Sequence, residues 1–433
     1  MKTMFTDIQA HDPVIAEAKP EIEKCRHYGF CTATCPTYVL LGDEQDSPRG
    51  RIDLIHDMLA KGSAPDAETV LHLDRCLSCM NCITTCPTSI DYAKLIDIGR
   101  EYIEDHYQRP LSDRSLRELI ARVLPNPRLF RWCLHAAAAG RFFRGFLGER
   151  LGQMLRMTKG LKPERSAFDG VALVRAEGPV RHRVVLLEGC VQKVIETRIT
   201  DATVRILARH HCEIHKPQDV GCCGSLPLHM GRGDEAKAFA RRAVDAWYQA
   251  IAEDGIEAII VNASGCGTTI KDYGHLLNGD PNYAAKAQAV AERTFDIAEW
   301  LVKIGIDVRQ SVALRVAYHD PCSLQHAQHV RREPRSLLTT AGYEVVDVPE
   351  SQMCCGSAGT YNMLQPEIAS QLGQRKADNV ARMKPDVLAT GNIGCMTQIG
   401  QYSGVPIVHL VELLDWATGG ERPAALKQEE LAA

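Results

Sequence analysis

Residues 76–87 read Cys-Leu-Ser-Cys-Met-Asn-Cys-Ile-Thr-Thr-Cys-Pro, the C-x2-C-x2-C-x3-C-P spacing of iron–sulfur cluster loops. Two-residue gaps let one tight loop direct three thiolates at one [4Fe–4S] cluster, while the fourth cysteine reaches a second cluster. Pro87 suits the start of a helix that leads away, because its missing N–H costs nothing there. The run therefore predicts a partner run elsewhere in the chain.

The partner run lies upstream, where residues 25–36 read Cys-Arg-His-Tyr-Gly-Phe-Cys-Thr-Ala-Thr-Cys-Pro. It has the same spacing, but Tyr28 stands where the second cysteine would be. If the fourth cysteine of each run crosses to the other cluster, one thiolate set is complete and the other has three members. The complete set is Cys35, Cys76, Cys79 and Cys82, and the incomplete set is Cys25, Cys31 and Cys86.

The incomplete set leaves three interpretations open. Three thiolates can hold a [3Fe–4S] cluster or a labile cube whose fourth iron takes an oxygen ligand, and otherwise the site is empty. Tyrosine is a poor substitute ligand, since its unperturbed pKa is about 10. Zinc is the main rival metal for C-x2-C pairs, but it favours two pairs of ligands over two matched runs each followed by proline.

A second cysteine pattern occurs twice in the C-terminal half. Each copy reads C-x31-C-C-G, followed by one more cysteine after an apolar strand, with offsets of 132, 132 and 129 residues between the copies. These nearly constant offsets indicate an internal duplication. The first copy contains Cys190, Cys222, Cys223 and Cys266, and the second contains Cys322, Cys354, Cys355 and Cys395. Four thiols per copy suit an iron–sulfur cluster, a redox-active dithiol site or, in the plainest case, unreactive buried thiols.

The strands and helices around these cysteines alternate, which predicts a parallel α/β sheet in each copy with the cysteines at or beyond the carboxyl ends of strands. Gly224 and Gly356 provide the backbone freedom that lets two adjacent cysteines reach one site. His215, His229, His319 and His409 lack metal-ligand spacing, so we interpret them as ordinary core or surface histidines. His319 has an alternative role, because its position beside Cys322 would let it hydrogen-bond to a metal ligand without binding the metal itself.

The composition limits the classes of function. The chain has 433 residues, 17 cysteines and a net charge of −4, which argues against general nucleic-acid binding. The start of the chain lacks a secretory apolar segment, so we expect a reducing cytoplasm and metal sites in place of disulfides. No G-x-G-x-x-G or phosphate-loop motif is present, nor any hydrolytic signature, so the sequence shows no catalytic residues and no flavin or nicotinamide site.

We predict an α+β multidomain chain, in which a helical dicluster domain precedes duplicated α/β repeats with parallel sheets. The expected divisions are a cluster domain at 1–108, a basic amphipathic helical linker at 109–182, repeats at 183–310 and 311–418, and a disordered tail at 419–433. Residues 109–165 contain 13 Lys or Arg against four acidic residues, giving +9, interleaved with apolar side chains. Two interpretations are open. The segment packs on its own domain with a solvated basic face, or it docks on an anionic surface, either a membrane or an acidic partner subunit.

The chain resembles the iron–sulfur subunit of bacterial glycolate oxidase along nearly its whole length. The segments that carry the resemblance include residues 29–38, 46–52, 319–326, 353–361 and 391–398. The resemblance implies a subunit that is not catalytic alone and passes electrons from FAD-containing subunits, which oxidise glycolate or D-lactate, to a quinone. It also implies a cytoplasmic protein peripherally associated with the inner face of the cell membrane.

The sequence departs from the related patterns at two places. The family has a cysteine at the position of Tyr28, so the character of that cluster is open. The repeats look like the cysteine-rich CCG repeats of heterodisulfide reductases, but these end in C-x-x-C, whereas here each copy is one cysteine short after Cys266 and Cys395. Alternative functions are the iron–sulfur subunit of an anaerobic glycerol-3-phosphate or lactate dehydrogenase, and a CCG-type thiol/disulfide reductase.

Overall fold

The structure is a computed structural model that describes residues 5–140, 160–218 and 220–427, with residues 152, 154, 155, 157 and 158. Parts of the predicted basic segment, including residues 141–151, and the last residues of the predicted tail, 428–433, therefore lie outside the described residues.

The N-terminal part is helical, as predicted. Asp12 accepts backbone N–H bonds at the start of the first helix, and Ser47 does the same for the fourth, with Pro48 at its first position. The apolar faces of these helices meet in one core that also includes Cys25, Cys76 and Cys82. The helices are α1 (Pro13–Lys24), α2 (Phe30–Thr34), α3 (Pro36–Leu41), α4 (Pro48–Lys61), α5 (Ala67–Asp74), α6 (Asn81–Thr85) and α7 (Tyr92–His106).

The described part of the basic segment forms two helices, α8 (Leu111–Val123) and α9 (Pro127–Gly140), with Pro125 between them and Pro127 at the first position of α9. Leu116 and Ile120 of α8 and Phe130 and Leu134 of α9 pack into the main core of the C-terminal half. The apolar face of this segment is thus covered by the chain itself, while Trp132 is 76% exposed on the other side of α9.

The first repeat contains a five-stranded sheet of order β1-β3-β2-β4-β5, in which only the pairing of β1 with β3 is antiparallel. Its strands are β1 (Leu173–Val174), β2 (His182–Leu186), β3 (Cys212–His215), β4 (Ala258–Val261) and β5 (Thr294–Asp296). Its helices are Gln192–Ile195, Thr197–Arg209, Ser225–His229, Gly233–Glu253, Ser264–Lys271, Tyr273–Leu276, Ala284–Glu292 and Ile297–Ile304.

The second repeat contains a parallel four-stranded sheet of order β7-β6-β8-β9. This order matches β3-β2-β4-β5 of the first repeat, as a duplication requires. Its strands are β6 (Arg315–His319), β7 (Glu344–Asp347), β8 (Val387–Thr390) and β9 (Ile407–His409). Its helices are Ser323–Ala327, Glu333–Thr340, Tyr361–Leu364, Pro366–Arg382, Ile393–Gly400, Leu410–Ala417 and Ala424–Lys427.

Three features differ from the expectations. Strand β1 adds residues from the predicted linker to the first sheet, because β3 offers it a free edge. Strands β3, β5 and β9 are short and were not predicted. The described part of the predicted disordered tail is ordered as far as Lys427, because Leu426 is only 2% exposed and packs into the main core. None of the helices among the described residues is long and apolar enough to cross a membrane.

Candidate metal centres

The two cysteine runs form loops with the same backbone course. His27 and Gly29 have positive φ values of 53° and 80°, and Ser78 and Met80, the equivalent residues of the other run, have 48° and 60°. The residue between the two positive-φ residues is Tyr28 in one loop and Cys79 in the other, and the backbone directs both side chains from equivalent positions. Helices α2 and α6, which follow these loops, pack against each other and bring the two runs together.

Site B denotes the complete set Cys35, Cys76, Cys79 and Cys82. The thiols lie close enough that neighbouring sulfurs, together with burial as the largest cause, raise the pKa values of Cys79 and Cys82 well above the usual value. Three of the thiols are buried and Cys79 is partly buried, so all four cannot ionise together without a cation. The donor set therefore fits an iron–sulfur cluster, whose positive irons would compensate the thiolates.

A buried cation also supports site B. Arg51 is 1% exposed, and its guanidinium donates to the Cys35 sulfur at 3.8 Å and to the Asp46 carboxylate at 3.2 Å. The Asp46 carboxylate also accepts from Arg75 at 2.9 Å. Hydrogen bonds and charges at ligand sulfurs tune the reduction potential of a cluster, so Arg51 is placed to tune site B.

Site A denotes Cys25, Cys31 and Cys86 with Tyr28 at the altered position. These residues line a cavity of about 40 Å³, and burial together with the other two thiols raises the pKa of Cys31 to about 11. The Tyr28 side chain is 64% exposed, so it leaves the fourth position of the site facing solvent. The Cys86 pKa is lowered despite its burial, because backbone groups of residues 88–90 and the Thr88 hydroxyl bond to its sulfur.

Thiol set 1 denotes Cys190, Cys222, Cys223 and Cys266. Cys190 follows β2, the adjacent pair lies in the loop before helix Ser225–His229, and Cys266 lies in the first turn of helix Ser264–Lys271. The Cys190 and Cys222 sulfurs are 3.7 Å apart, and hydrogen bonds from Cys190 and Cys223 lower the Cys222 pKa well below its usual value. The set thus joins all four predicted cysteines of the first repeat.

Thiol set 2 denotes Cys322, Cys354, Cys355 and Cys395, which occupy the equivalent places in the second repeat. Hydrogen bonding links Cys322 to Cys354, Cys354 to Cys355, and Cys355 to Cys395. Around this set the chain also places two nitrogen groups, namely the fully buried His319 imidazole and the Lys376 ammonium, which is 2% exposed. Burial lowers the Lys376 pKa, while the Cys322 and Cys355 thiols oppose that shift.

Glycine is required after each cysteine pair. Gly224 has φ +86°, and a Cβ there would lie 2.9 Å from the Ala236 carbonyl oxygen; Gly356 has φ +89°, and its Cβ would lie 2.6 Å from the Ala369 oxygen. The glycine N–H groups point back at the Cys222 and Cys354 sulfurs, at 3.4 and 3.5 Å. The C-C-G motif therefore packs its loop against a helix backbone in both repeats.

Both thiol sets line one cavity of about 480 Å³ between the repeats. The two halves are joined by polar contacts beside the thiols: the Asn392 amide donates to the Ser264 hydroxyl at 2.7 Å, and that hydroxyl lies 2.7 Å from the Ser323 hydroxyl. Away from the thiols the wall is apolar and comes largely from α8 and α9 and the residues after them. This wall includes Leu119, Ile120, Val123, Leu124, Phe130, Leu134, Ala137, Met154 and Leu161.

Site B adjoins thiol set 2. Cys79 packs in the same cluster of side chains as Cys322 and Cys354, and it also lines the shared cavity. The Asn81 amide, two residues further along, donates both to the Thr34 carbonyl at 2.9 Å and to the Gln352 carbonyl at 3.1 Å. It thereby fixes the two cluster loops to each other and to the second repeat.

The structure thus brings the predicted cysteines into two sites and two sets, and none of the 17 cysteines forms a disulfide. Two further cysteines lie outside these sets: Cys133 is half-buried beside the cavity, and Cys212 is buried in β3. Sequence reasoning missed Lys376 and Asn392. The sequence did contain one signal for Asn392, because an Asn directly before the first residue of a helix is a common N-cap, and its side chain accepts from the Gly394 and Cys395 N–H groups.

Two family models match the chain. One, described as a 4Fe-4S dicluster domain, covers residues 24–90, and the other, a cysteine-rich domain named CCG, covers residues 184–271 and 316–400. These matches coincide with the helical cluster domain and the two repeats, and they support iron–sulfur binding.

Two curated relatives match more than nine tenths of the chain, and a third matches about half of it. The glycolate oxidase iron-sulfur subunit of Escherichia coli (strain K12) is 40% identical over 96% of this chain and 99% of its own length. A probable glycolate oxidase iron-sulfur subunit of Bacillus subtilis (strain 168) is 29% identical over 92% of this chain and 94% of its own. Lactate utilization protein A of Oceanobacillus iheyensis is 29% identical, over 54% of this chain and 96% of its own.

A solved structure supports the fold alone. The crystal structure of a hypothetical protein from Helicobacter pylori superimposes with a TM-score of 0.53 at 9% identity, covering 98% of this chain and 75% of the other.

Proposed function

The chain belongs to the family of glycolate oxidase iron–sulfur subunits, and from that premise we propose that it carries electrons from flavin-containing partner subunits to a quinone. The observation that carries the proposal is the unbroken row of sulfur donor sets, from site A through site B to thiol set 2 and the shared cavity. When loaded, iron–sulfur centres supply one-electron carriers, whereas oxidation of a 2-hydroxy acid releases two electrons and two protons at once. A flavin on a partner subunit would accept the two electrons together and pass them on to the iron–sulfur centres one at a time.

The order of the sites supports an entry at site A. Cys31 of site A lies near Cys82 of site B, and Cys79 of site B packs beside Cys322 of thiol set 2. Site A is at the surface, where the rings of Tyr28 and Phe30 are 64% and 60% exposed. Exposed aromatic rings beside a donor set suit a docking surface for an FAD-containing subunit.

The apolar part of the shared cavity supports a quinone as the acceptor. Its wall combines large aliphatic and aromatic side chains with the sulfurs of both thiol sets, so a lipophilic ring would lie next to the electron donors. The quinone would take two electrons and two protons to become a quinol, which balances the oxidation of the 2-hydroxy acid to the 2-oxo acid.

The outer face of α9 supports contact with the inner face of the cell membrane. Trp132 and Leu129 are 76% and 40% exposed there, next to the exposed Arg128. Tryptophan and basic side chains favour the lipid–water interface, and the same helix forms part of the cavity wall on its other side. A quinone could then pass between membrane and cavity.

The quinone part of the proposal has a matched pair of variants as its test. Ala137 lines the cavity and the neighbouring Ala136 is exposed on the same helix. With the complete complex, Ala137→Trp should raise the KM for a soluble short-chain quinone about tenfold or more, while Ala136→Trp should leave it unchanged. Neither change should alter reduction of a small dye that takes electrons at site A. Equal KM values for both variants would exclude the cavity as the acceptor site.

A thiol/disulfide reductase remains the second candidate, because the Cys190 and Cys222 sulfurs are 3.7 Å apart and hydrogen bonds from Cys190 and Cys223 lower the pKa of Cys222. Activity of the chain by itself separates the two functions. An electron-transfer subunit should show no turnover of glycolate, D-lactate or disulfides alone, and should gain 2-hydroxy-acid activity with an FAD-containing partner. Disulfide reduction by the isolated chain with a reduced dye would favour the second candidate. Co-purification with a glycerol-3-phosphate-oxidising flavoprotein would indicate the other dehydrogenase class.

A further inference from the structure

We infer that the imidazole of His319 is a metal ligand of thiol set 2 and replaces the cysteine that this repeat lacks. The inference rests on the proposed function only in that set 2 holds an iron–sulfur centre.

The environment of His319 leaves its ring without a protein partner. It is the last residue of β6, its side chain is fully buried, and neither ring nitrogen has a hydrogen-bond partner among the residues that the structure describes. Leaving a polar group buried and unsatisfied costs free energy, so a buried ring with no protein partner indicates a bound water or ion. A water could serve in principle, but the neighbours of the ring indicate a metal.

The neighbours are ligand atoms. A ring nitrogen of His319 and the sulfurs of Cys355 and Cys395 all lie within 4.8 Å of one another. Imidazole nitrogen and thiolate sulfur are both good ligands for iron, and mixed sets occur where two histidines replace two cysteines in a [2Fe–2S] centre. With His319, set 2 offers five donors, namely four sulfurs and one nitrogen.

The first repeat provides an internal comparison. His319 lies three residues before Cys322, and the residue three before Cys190 is Leu187, which is also buried. Set 1 therefore has no nitrogen donor at this position. The duplication has produced two centres with different donor sets, and the one with the histidine is the one that adjoins site B. Since nitrogen for sulfur substitution raises the potential of a cluster, set 2 should accept electrons more readily than set 1.

The first experiment uses the chain without any substitution. The full chain is produced anaerobically with natural-abundance or [15N]histidine, reduced stepwise, and studied by pulsed EPR. Histidine coordination predicts a strong nitrogen hyperfine coupling that changes from the 14N to the 15N pattern with the label. The absence of any coordinated-histidine coupling in every paramagnetic state would overturn the inference.

Variants assign the coupling. His319→Gln should abolish it, whereas His409→Gln should retain it, because His409 is equally buried in the same sheet but its Nδ1 accepts from the Val411 N–H. Retention of the coupling in His319→Gln would overturn the inference. Iron content separates failure of the His319 inference from failure of the proposed function. If Cys355→Ser loses no iron, set 2 holds no cluster, and both the ligand role of His319 and the electron path through set 2 are wrong. If Cys355→Ser loses iron but no histidine coupling exists, only the role of His319 is wrong.

Discussion

Tyr28 and Cys79 occupy equivalent positions of two loops that have the same backbone, with a positive φ on either side of each residue. The loop with Tyr28 therefore has the conformation that would present a cysteine ligand. The other three thiols of site A, Cys25, Cys31 and Cys86, line a common cavity. Tyr28 thus leaves site A one thiol short of the set in site B, in a loop of the same shape.

Tyr28→Cys is expected to complete site A. Because the loop already has the ligand-presenting backbone, the variant should hold a full cube, with more iron per chain and a more stable cluster signal in low-temperature EPR. Phe30→Cys is the control, since it adds a thiol to the same loop outside the ligand position. Identical iron content and spectra in wild type and Tyr28→Cys would mean that site A is already complete or cannot hold iron.

Gly356→Ala is expected to damage thiol set 2. The residue has φ +89° and its Cβ would lie 2.6 Å from the Ala369 carbonyl oxygen, so a side chain meets both strain and a backbone clash. Strain alone costs about 1–3 kcal/mol. We expect a lower thermal midpoint and loss of iron from set 2 by iron analysis. Gly404→Ala, in the same repeat with open space around it, should be neutral; equal effects would refute this explanation.

Arg51→Leu should destabilise the N-terminal domain by about 3–5 kcal/mol, because it leaves the buried Asp46 carboxylate short of one partner. Chemical denaturation measures this loss in the free energy of unfolding. We expect the lower end of the range, because Asp46 keeps two partners, Arg75 and His72. Arg122→Leu breaks an exposed pair with Glu118 and should cost less than about 1 kcal/mol. The prediction fails if the two variants are equally stable.

Asp97 gives a pH-dependent prediction. Burial, opposed by Arg100 and reinforced by Asp272, raises the Asp97 pKa to about 7, and one of its oxygens lacks a partner among the described residues. An acid whose pKa is raised on folding contributes stability at low pH that is lost as pH rises through the folded pKa. Asp97→Asn should therefore raise the thermal midpoint more at pH 8 than at pH 5.

The control for Asp97 is Asp105→Asn, which changes an exposed carboxyl on the same helix. Its effect on the midpoint should be small and nearly equal at both pH values. A gain from Asp97→Asn that is independent of pH would show that the carboxylate does not titrate in this range.

Cysteine spacing predicted the candidate sites because ligand geometry depends on local chain length. The C-x2-C gaps predicted the loops, and the offsets of 132, 132 and 129 residues predicted a parallel sheet in each copy, which the structure has apart from the antiparallel β1. The grouping of Cys35 with the second run stays a prediction, although Cys35 lies near enough to Cys79 and Cys82 to raise their pKa values. Strands such as β3 were missed because a strand of four residues is too short for its apolar/polar alternation to be recognised in the sequence.

The sequence by itself determined which thiols group together, since spacing along the chain fixes which atoms a short loop can present. Only the tertiary structure decided what stands beside those thiols. His319, Lys376 and the apolar wall from α8 and α9 come from distant segments, and packing, not spacing, brings them to the sulfurs. The physical reason is that a loop encodes its own geometry, whereas the environment of a site depends on how separate helices and sheets bury their faces against one another.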